Sequence, residues 1–235
     1  MFVMVMVVVV VRTNDPNALW SPYYYITVGE ECSKAGFINE RSPALSSPHV
    51  GIRTMQDPPA YNISVNHDFY QPHRTLNPAR FSAARLPFVE SERVSYDLPY
   101  ALSPAHRREL VLGAGGGTDT EVAVLNGAEH VDAVEIDPML VSLSKRFNPS
   151  GIYKNPKVTG HIDDARAYLR RAQGGYDMVL FGWLDSQALF SSMSNLRLDG
   201  SIYTVESVRA AWNLLNAQGT LSLSFMAGMT GWLGN

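Results

Sequence analysis

A glycine-dense turn between an apolar run and a helical pattern constrains this chain more than any other feature. Leu110, Val111 and Leu112 lead into Gly113, Gly115, Gly116 and Gly117, and Thr118 and Asp119 follow. A second apolar run begins at His130 and ends on an acidic residue, Glu135. Strand, bare turn, helix and strand in that order form the opening unit of an open α/β sheet. A turn without Cβ atoms lets its backbone come close to a ligand. A carboxylate at the tip of the next strand can accept hydrogen bonds from both hydroxyls of a ribose. The pairing predicts a nucleoside site; the competing reading is a structural turn whose glycines serve left-handed positions.

Spacing narrows the ligand. The dinucleotide fingerprint, G-x-G-x-x-G, opens a helix whose N-terminus holds a pyrophosphate. Here Gly113, Gly115 and Gly117 alternate, and Thr118 stands where the third fingerprint glycine belongs. The pattern suits a nucleoside without a pyrophosphate, such as an adenosyl sulfonium.

From Glu109 onward apolar runs and helical stretches alternate, as in a parallel sheet wrapped by helices. Expected strands are Glu109–Leu112, His130–Glu135, Val158–Ile162, Met178–Phe181 and Thr220–Phe225. Expected helices follow Asp119, Pro138, Asp164 and Thr204. Upstream, residues 12–100 are rich in Pro, Tyr, Ser and Asn and show little helical periodicity. Short strands at Tyr23–Val28 and Tyr61–Val65 suggest a β-rich extension. The expected organisation is an apolar segment at 1–11, this extension at 12–100, and a nucleoside-binding Rossmann-like unit at 101–235. The apolar opening admits three readings, the tail of a membrane helix whose start is missing, a buried β-strand or a short membrane-facing anchor; Arg12 directly after it fits the cytoplasmic end of a membrane helix and favours the first. Only ten residues follow Phe225, so the chain is expected to be a fragment of a longer one.

A formal net charge of −3 advertises no basic surface for nucleic acid. The single cysteine excludes an intrachain disulfide framework and fits a reducing, cytoplasmic compartment. His67, Asp68 and His73 cluster in what reads as a solvated loop, and their spacing matches no standard zinc pattern, so no metal is expected.

Taken together, Trp20–Tyr24, Gly115–Gly117, Glu135–Pro138, Ile162–Arg166, Leu184–Ser186 and Tyr203–Glu206 resemble the spermidine synthase family. That family lies within the S-adenosylmethionine-type transferases, and the likeness is closest to a branch attached to membrane helices. The resemblance implies a class I methyltransferase-like fold and decarboxylated S-adenosylmethionine or S-adenosylmethionine as co-substrate. It implies a small amine as partner, and it admits a homodimer. Glu135 would bind the ribose hydroxyls, Asp164 the adenine amino group, and Ala165 would lie against the ring. Read from the sequence alone, Asp164 is also a helix N-cap. Tyr203 and Trp183 would wall an amine site, where aromatic faces attract cations.

The chain departs from the family pattern at the chemistry. Aminopropyl transfer needs a neutral amine, hence a proton acceptor. The family places two aspartates beyond the fourth strand; here Gly182 stands at the first and Asp185 at the second, leaving Asp185 as the catalytic candidate. The family's glycine turn ends Asp-Gly, whereas Asp119 sits one position later, which at a helix start redirects a side chain by about 100°. No Tyr-His-Glu string precedes the sheet; residues 96–100 stand near its place. The expected function is therefore aminopropyl transfer. Methyl transfer from S-adenosylmethionine and noncatalytic nucleoside sensing are the alternatives.

Overall fold

Leu110 and Leu112 face one side of their strand and Val111 the other, and all three are fully buried. A strand buried on both faces belongs to the interior of a parallel sheet covered by helices. The computed structural model describes residues 18–30, 57–65, 68–182 and 202–224. It contains two sheets. An antiparallel sheet of order β1-β2-β3-β4 is made by Ala18–Trp20, Tyr25–Glu30, Tyr61–Val65 and Asp68–His73. A parallel sheet of order β7-β6-β5-β8-β9 is made by Arg108–Leu112 (β5), His130–Glu135 (β6), Val158–Ile162 (β7), Tyr176–Phe181 (β8) and Leu215–Leu223 (β9). The expected open α/β architecture with a small β-sheet before it is what is found.

Helices cover both faces of the parallel sheet. Helices α1 (Leu86–Leu102) and α2 (Thr118–Leu125) contribute Tyr100, Val122 and Ala123 to one core, against Val111, Ala133 and Leu180. Helices α4 (Ala165–Arg171) and α5 (Val205–Asn213) contribute Tyr168, Leu169 and Ala211 to the other, against Leu110, Val134 and Phe181. Helix α3 (Pro138–Phe147) joins the two sheets, because its Leu140 and Leu143 pack with Ile26, Ile63 and Val65 of the antiparallel one. Each Val, Leu, Ile or Phe side chain so buried contributes about 1.5–3 kcal/mol.

Helix starts follow local chemistry. Asp137 caps α3 by accepting from Met139 N–H, with Pro138 in the first turn, where its missing N–H costs nothing. Thr204 caps α5 by accepting from Ser207 N–H, the cap expected from the sequence.

Three elements differ from expectation. Helix α1 falls where no helical periodicity was seen. Its apolar Val94, Leu98 and Leu102 are exposed while Val89 and Tyr100 are buried, so the apolar positions do not form one stripe. Val89 and Tyr100 anchor it to the core, and ion pairs add to them: Arg93 grips Asp97 with two nitrogens at 2.9 and 2.7 Å, and Arg74 meets Glu92 at 2.8 Å. Second, the stretch taken as a solvated loop is β4, and its His73 is fully buried. Pro72 argued against a strand, but β4 is an edge, where proline is tolerated. His67 lies outside the described residues. Third, β9 begins at Leu215 rather than Thr220, because its register against β8 jumps from Tyr176↔Leu215 to Met178↔Thr220. The residues between bulge out and are mostly exposed, which hides the strand's start in the sequence.

Residues 1–11 lie outside the described residues, as does Phe225. Among the described residues no helix is long and apolar enough to cross a membrane.

Candidate functional site

The parallel sheet reverses its winding between β5 and β8: the chain runs from β5 outward through β6 and β7, then returns to β8 and β9. Loops leaving β5 and β8 therefore diverge, and a crevice opens at the carboxyl ends of these strands. The glycine turn follows β5, Glu135 ends β6, Asp164 follows β7 and Gly182 follows β8. Four separate elements thus bring the residues singled out in the sequence to one end of the sheet.

Backbone bonds fix the turn. Gly113 and Ala114 both donate to Val134 O at 2.9 Å, and Gly182 donates to Leu112 O at 3.0 Å. Gly117 takes φ +91° to enter α2, a conformation that costs an L-residue about 1–2 kcal/mol. The bare backbone also serves internal packing. A Cβ on Gly116 would stand 2.5 Å from His73 Cδ2, and one on Gly117 2.5 Å from Ile152 Cγ2. The strand β4 therefore presses directly on the turn, and Gln71 Oε1 accepts from Gly116 N–H at 3.2 Å. Opposite, Tyr153 donates to Gly115 O at 2.8 Å, while Ser144 and Asn148 both donate to Gly116 O at 2.7 Å.

Glu135 is the best-held carboxylate at the crevice. Its Oε2 accepts from Gly115 N–H and its Oε1 from Asp137 N–H, each at 2.8 Å. Only 4% of the residue is exposed. Burial pushes its carboxyl above the usual range, and these two backbone bonds oppose the shift. The carboxylate thus ties the glycine turn to the end of β6.

The remaining carboxylates divide by partner. Asp164 caps α4, its Oδ1 accepting from Ala167 N–H at 2.8 Å, and Ala165 is the first residue of that helix. Asp163 pairs with Arg171 at the far end of α4. Asp119 lies in the first turn of α2, partly exposed, with its Oδ2 close to Gly182. Burial pushes its carboxyl up to about 7, against a bond from its own backbone N–H.

Tyr203 stands apart from this group. Its hydroxyl donates to Ser224 O at 3.0 Å and its ring stacks on Phe181 with centroids 6.0 Å apart. With Thr204, Val208, Trp212 and Leu223 it lines a cavity of about 450 Å³ beside α5. No glycine-turn residue lines that cavity, and its walls are largely apolar, so the polar chemistry belongs to the crevice rather than here. Asp185 and Trp183 lie outside the described residues. Among the described residues no group of three or more His, Cys, Asp or Glu side chains is arranged to hold a metal ion.

Sequence reasoning missed Gln71, His73 and Tyr153, which pack on the glycine turn. Burial pulls the His73 imidazole down to about 4, so it remains neutral. The alternation of Tyr70 and Pro72 with Gln71 and His73 was the available signal, and the proline masked it.

An open parallel sheet with a glycine turn and a strand-tip carboxylate at its switch point defines a Rossmann-like α/β class. The family model described as the spermine/spermidine synthase domain matches residues 89–207, about half of the chain. The chain belongs to the spermine/spermidine synthase family. It is 30% identical over 120 residues to a polyamine aminopropyltransferase of Agathobacter rectalis, covering 49% of this chain and 41% of that one. It is 38% identical over 87 residues to spermidine synthase 1 of Datura stramonium, covering 35% and 28% respectively. The chain therefore spans less than half the length of these curated relatives. In fold it resembles a spermidine synthase crystallised with the transition state analogue AdoDATO, with a TM-score of 0.54 and 15% identity over 88% of this chain and 57% of that one. The spermidine synthase of Thermotoga maritima gives a TM-score of 0.51 and 14% identity, covering 88% and 55%.

Proposed function

We propose that this chain binds an adenosyl sulfonium at the β5–β8 crevice and that decarboxylated S-adenosylmethionine passes its aminopropyl group there to a small amine. The observation that carries the reading is the Glu135 carboxylate. Each of its oxygens takes one backbone N–H and retains another lone pair, so the pair offers two adjacent acceptors for a vicinal diol. Asp164 Oδ1 is engaged by its cap, which leaves Oδ2 for the adenine amino group, with Ala165 flat beside the ring. Gly113, Gly115 and Gly117 form the floor of the site, with Asp119 at the aminopropyl end of the sulfonium rather than at its nucleoside. Asp185, which follows Gly182 closely in the sequence, holds the amine.

Two of the curated relatives are named as an aminopropyltransferase and a spermidine synthase, which supports the transfer chemistry. Calorimetry with decarboxylated S-adenosylmethionine, S-adenosylmethionine and methylthioadenosine tests the reading. Tighter binding of the decarboxylated form, with turnover on a di- or triamine, is the expected result. Tighter binding of the intact form would replace it with methyl transfer. Nucleoside binding without turnover on any amine would replace it with a sensing role.

A further inference from the structure

Among the described residues three carboxylates stand at the carboxyl ends of the parallel strands, and two of them already accept from the backbone of neighbouring residues. Both Glu135 oxygens accept from backbone N–H groups, and Asp164 caps α4. Among the described residues the Asp119 carboxylate accepts only from its own backbone N–H. It reaches toward Gly182, where a Cβ would stand 3.0 Å from Asp119 Oδ2 and 3.3 Å from Gly113 O. Gly182 is buried and does not have a left-handed φ, so its backbone would accept a side chain. A side chain there would press on the carboxylate and on the Gly113 carbonyl.

Resting on the aminopropyl transfer proposed above, we infer that Asp119 is the proton acceptor for the incoming amine, reaching from the first turn of α2 into the room that Gly182 leaves open. The carboxylate takes one proton from the ammonium group and becomes a carboxylic acid, leaving a neutral amine. The nitrogen lone pair forms the new C–N bond to the propyl carbon on the sulfonium. The C–S bond breaks, its electron pair stays on sulfur as a neutral thioether, and the positive charge passes to the new secondary ammonium. An acceptor brought to about 7 by burial is closer to an amine in proton affinity than an ordinary aspartate, which eases that first transfer. The titratable groups that feel Asp119 are Tyr96 and Tyr100 on α1 and Tyr153 beside the turn. Burial first, and carboxylate charge behind it, push all three above the ordinary tyrosine range, so none of them titrates alongside Asp119 near neutrality.

The test compares the full chain with Asp119→Asn, Asp119→Ser and Asp119→Ser/Gly182→Asp. Affinity for methylthioadenosine, which carries no amine, is measured beside kcat and its pH profile. Asp119→Asn should lower kcat by about 100-fold or more, within the usual span for a general base, and remove the acid limb of the profile. Its affinity for methylthioadenosine should stay within about twofold of the parent, since loss of a group that acts only on the amine leaves nucleoside binding intact. Moving the carboxylate to position 182 should recover at least about tenfold over Asp119→Ser, because the shorter serine vacates the shared space. A parent-like kcat in Asp119→Asn, or a loss confined to affinity for decarboxylated S-adenosylmethionine, overturns the inference while leaving aminopropyl transfer standing. Failure of the double variant to recover, with nucleoside affinity intact, also overturns it. If the parent chain binds no adenosyl compound, the proposed function itself fails, and the inference fails with it.

Discussion

Replacing Glu135 by alanine separates two jobs that one carboxylate performs. The substitution strands two buried donors, Gly115 N–H and Asp137 N–H, each now bonded at 2.8 Å. An orphaned buried donor costs about 1–3 kcal/mol, so the pair costs about 2–6 kcal/mol. Relief of a buried carboxylate whose pKa is already raised offsets part of that, leaving a net loss of about 2–4 kcal/mol. For a chain of this size the melting temperature should fall by about 5–15 °C. Affinity for methylthioadenosine should fall separately, by about 1.5–3 kcal/mol or roughly 10–150-fold, as charge-assisted ribose bonds are lost. Urea denaturation measures the first effect, and calorimetry on the folded fraction at low temperature measures the second. Glu135→Gln keeps one acceptor but turns an amide N–H₂ toward the other donor, so it should fall between parent and alanine on both axes. A melting temperature within about 2 °C of the parent would remove the structural clamp, since less than about 1 kcal/mol would then be at stake. A folded variant with unchanged nucleoside affinity would remove the ribose assignment.

Gly117→Ala should destabilise by about 2–4 kcal/mol by urea midpoint, since φ +91° and a contact 2.5 Å from Ile152 Cγ2 act together; a neutral result would show that the turn relaxes freely. Burial pushes the Glu109 carboxyl up to about 8, against a bond from Tyr100. The native chain therefore keeps a proton that the unfolded chain releases above the ordinary value of 4.5, so stability falls as pH rises between about 4.5 and 8. Glu109→Gln should flatten that slope, and an unaltered pH dependence of the denaturation midpoint would refute it. Thr204→Ala should cost about 1 kcal/mol by removing the cap on Ser207 N–H; circular dichroism melts check it. Asp185→Asn should raise KM for the amine while sparing nucleoside affinity, and steady-state kinetics beside calorimetry would expose the opposite pattern.

The parallel sheet was legible because its strands are short apolar runs ended by glycine, proline or a capping aspartate. His130–Glu135 and Val158–Ile162 fall at their expected bounds for that reason. Helix α1 was not legible, since its apolar residues divide between a buried pair, Val89 and Tyr100, and an exposed set, Val94, Leu98 and Leu102. β4 was hidden by Pro72, and the start of β9 by a bulge that only its pairing with β8 reveals. At the site, Glu135 stood out because a carboxylate after an apolar run and a glycine turn is a local pattern. Its hold on two backbone donors was not visible, and neither was the meeting of Asp119 with Gly182. The bond to Gly115 and the approach of Asp119 to Gly182 join separate segments of the chain, and no local periodicity encodes them.

The pressure of β4 on the glycine turn has an engineering consequence. Gln71 and His73 occupy the hollow above Gly115 and Gly116, so the loop owes its shape to a strand from the other sheet. A graft carrying only β5, the loop and α2 into a foreign scaffold would arrive without its upper wall. The transplanted glycines would then be free to sample many conformations, and a chimera that keeps them ordered must bring β3 and β4 along.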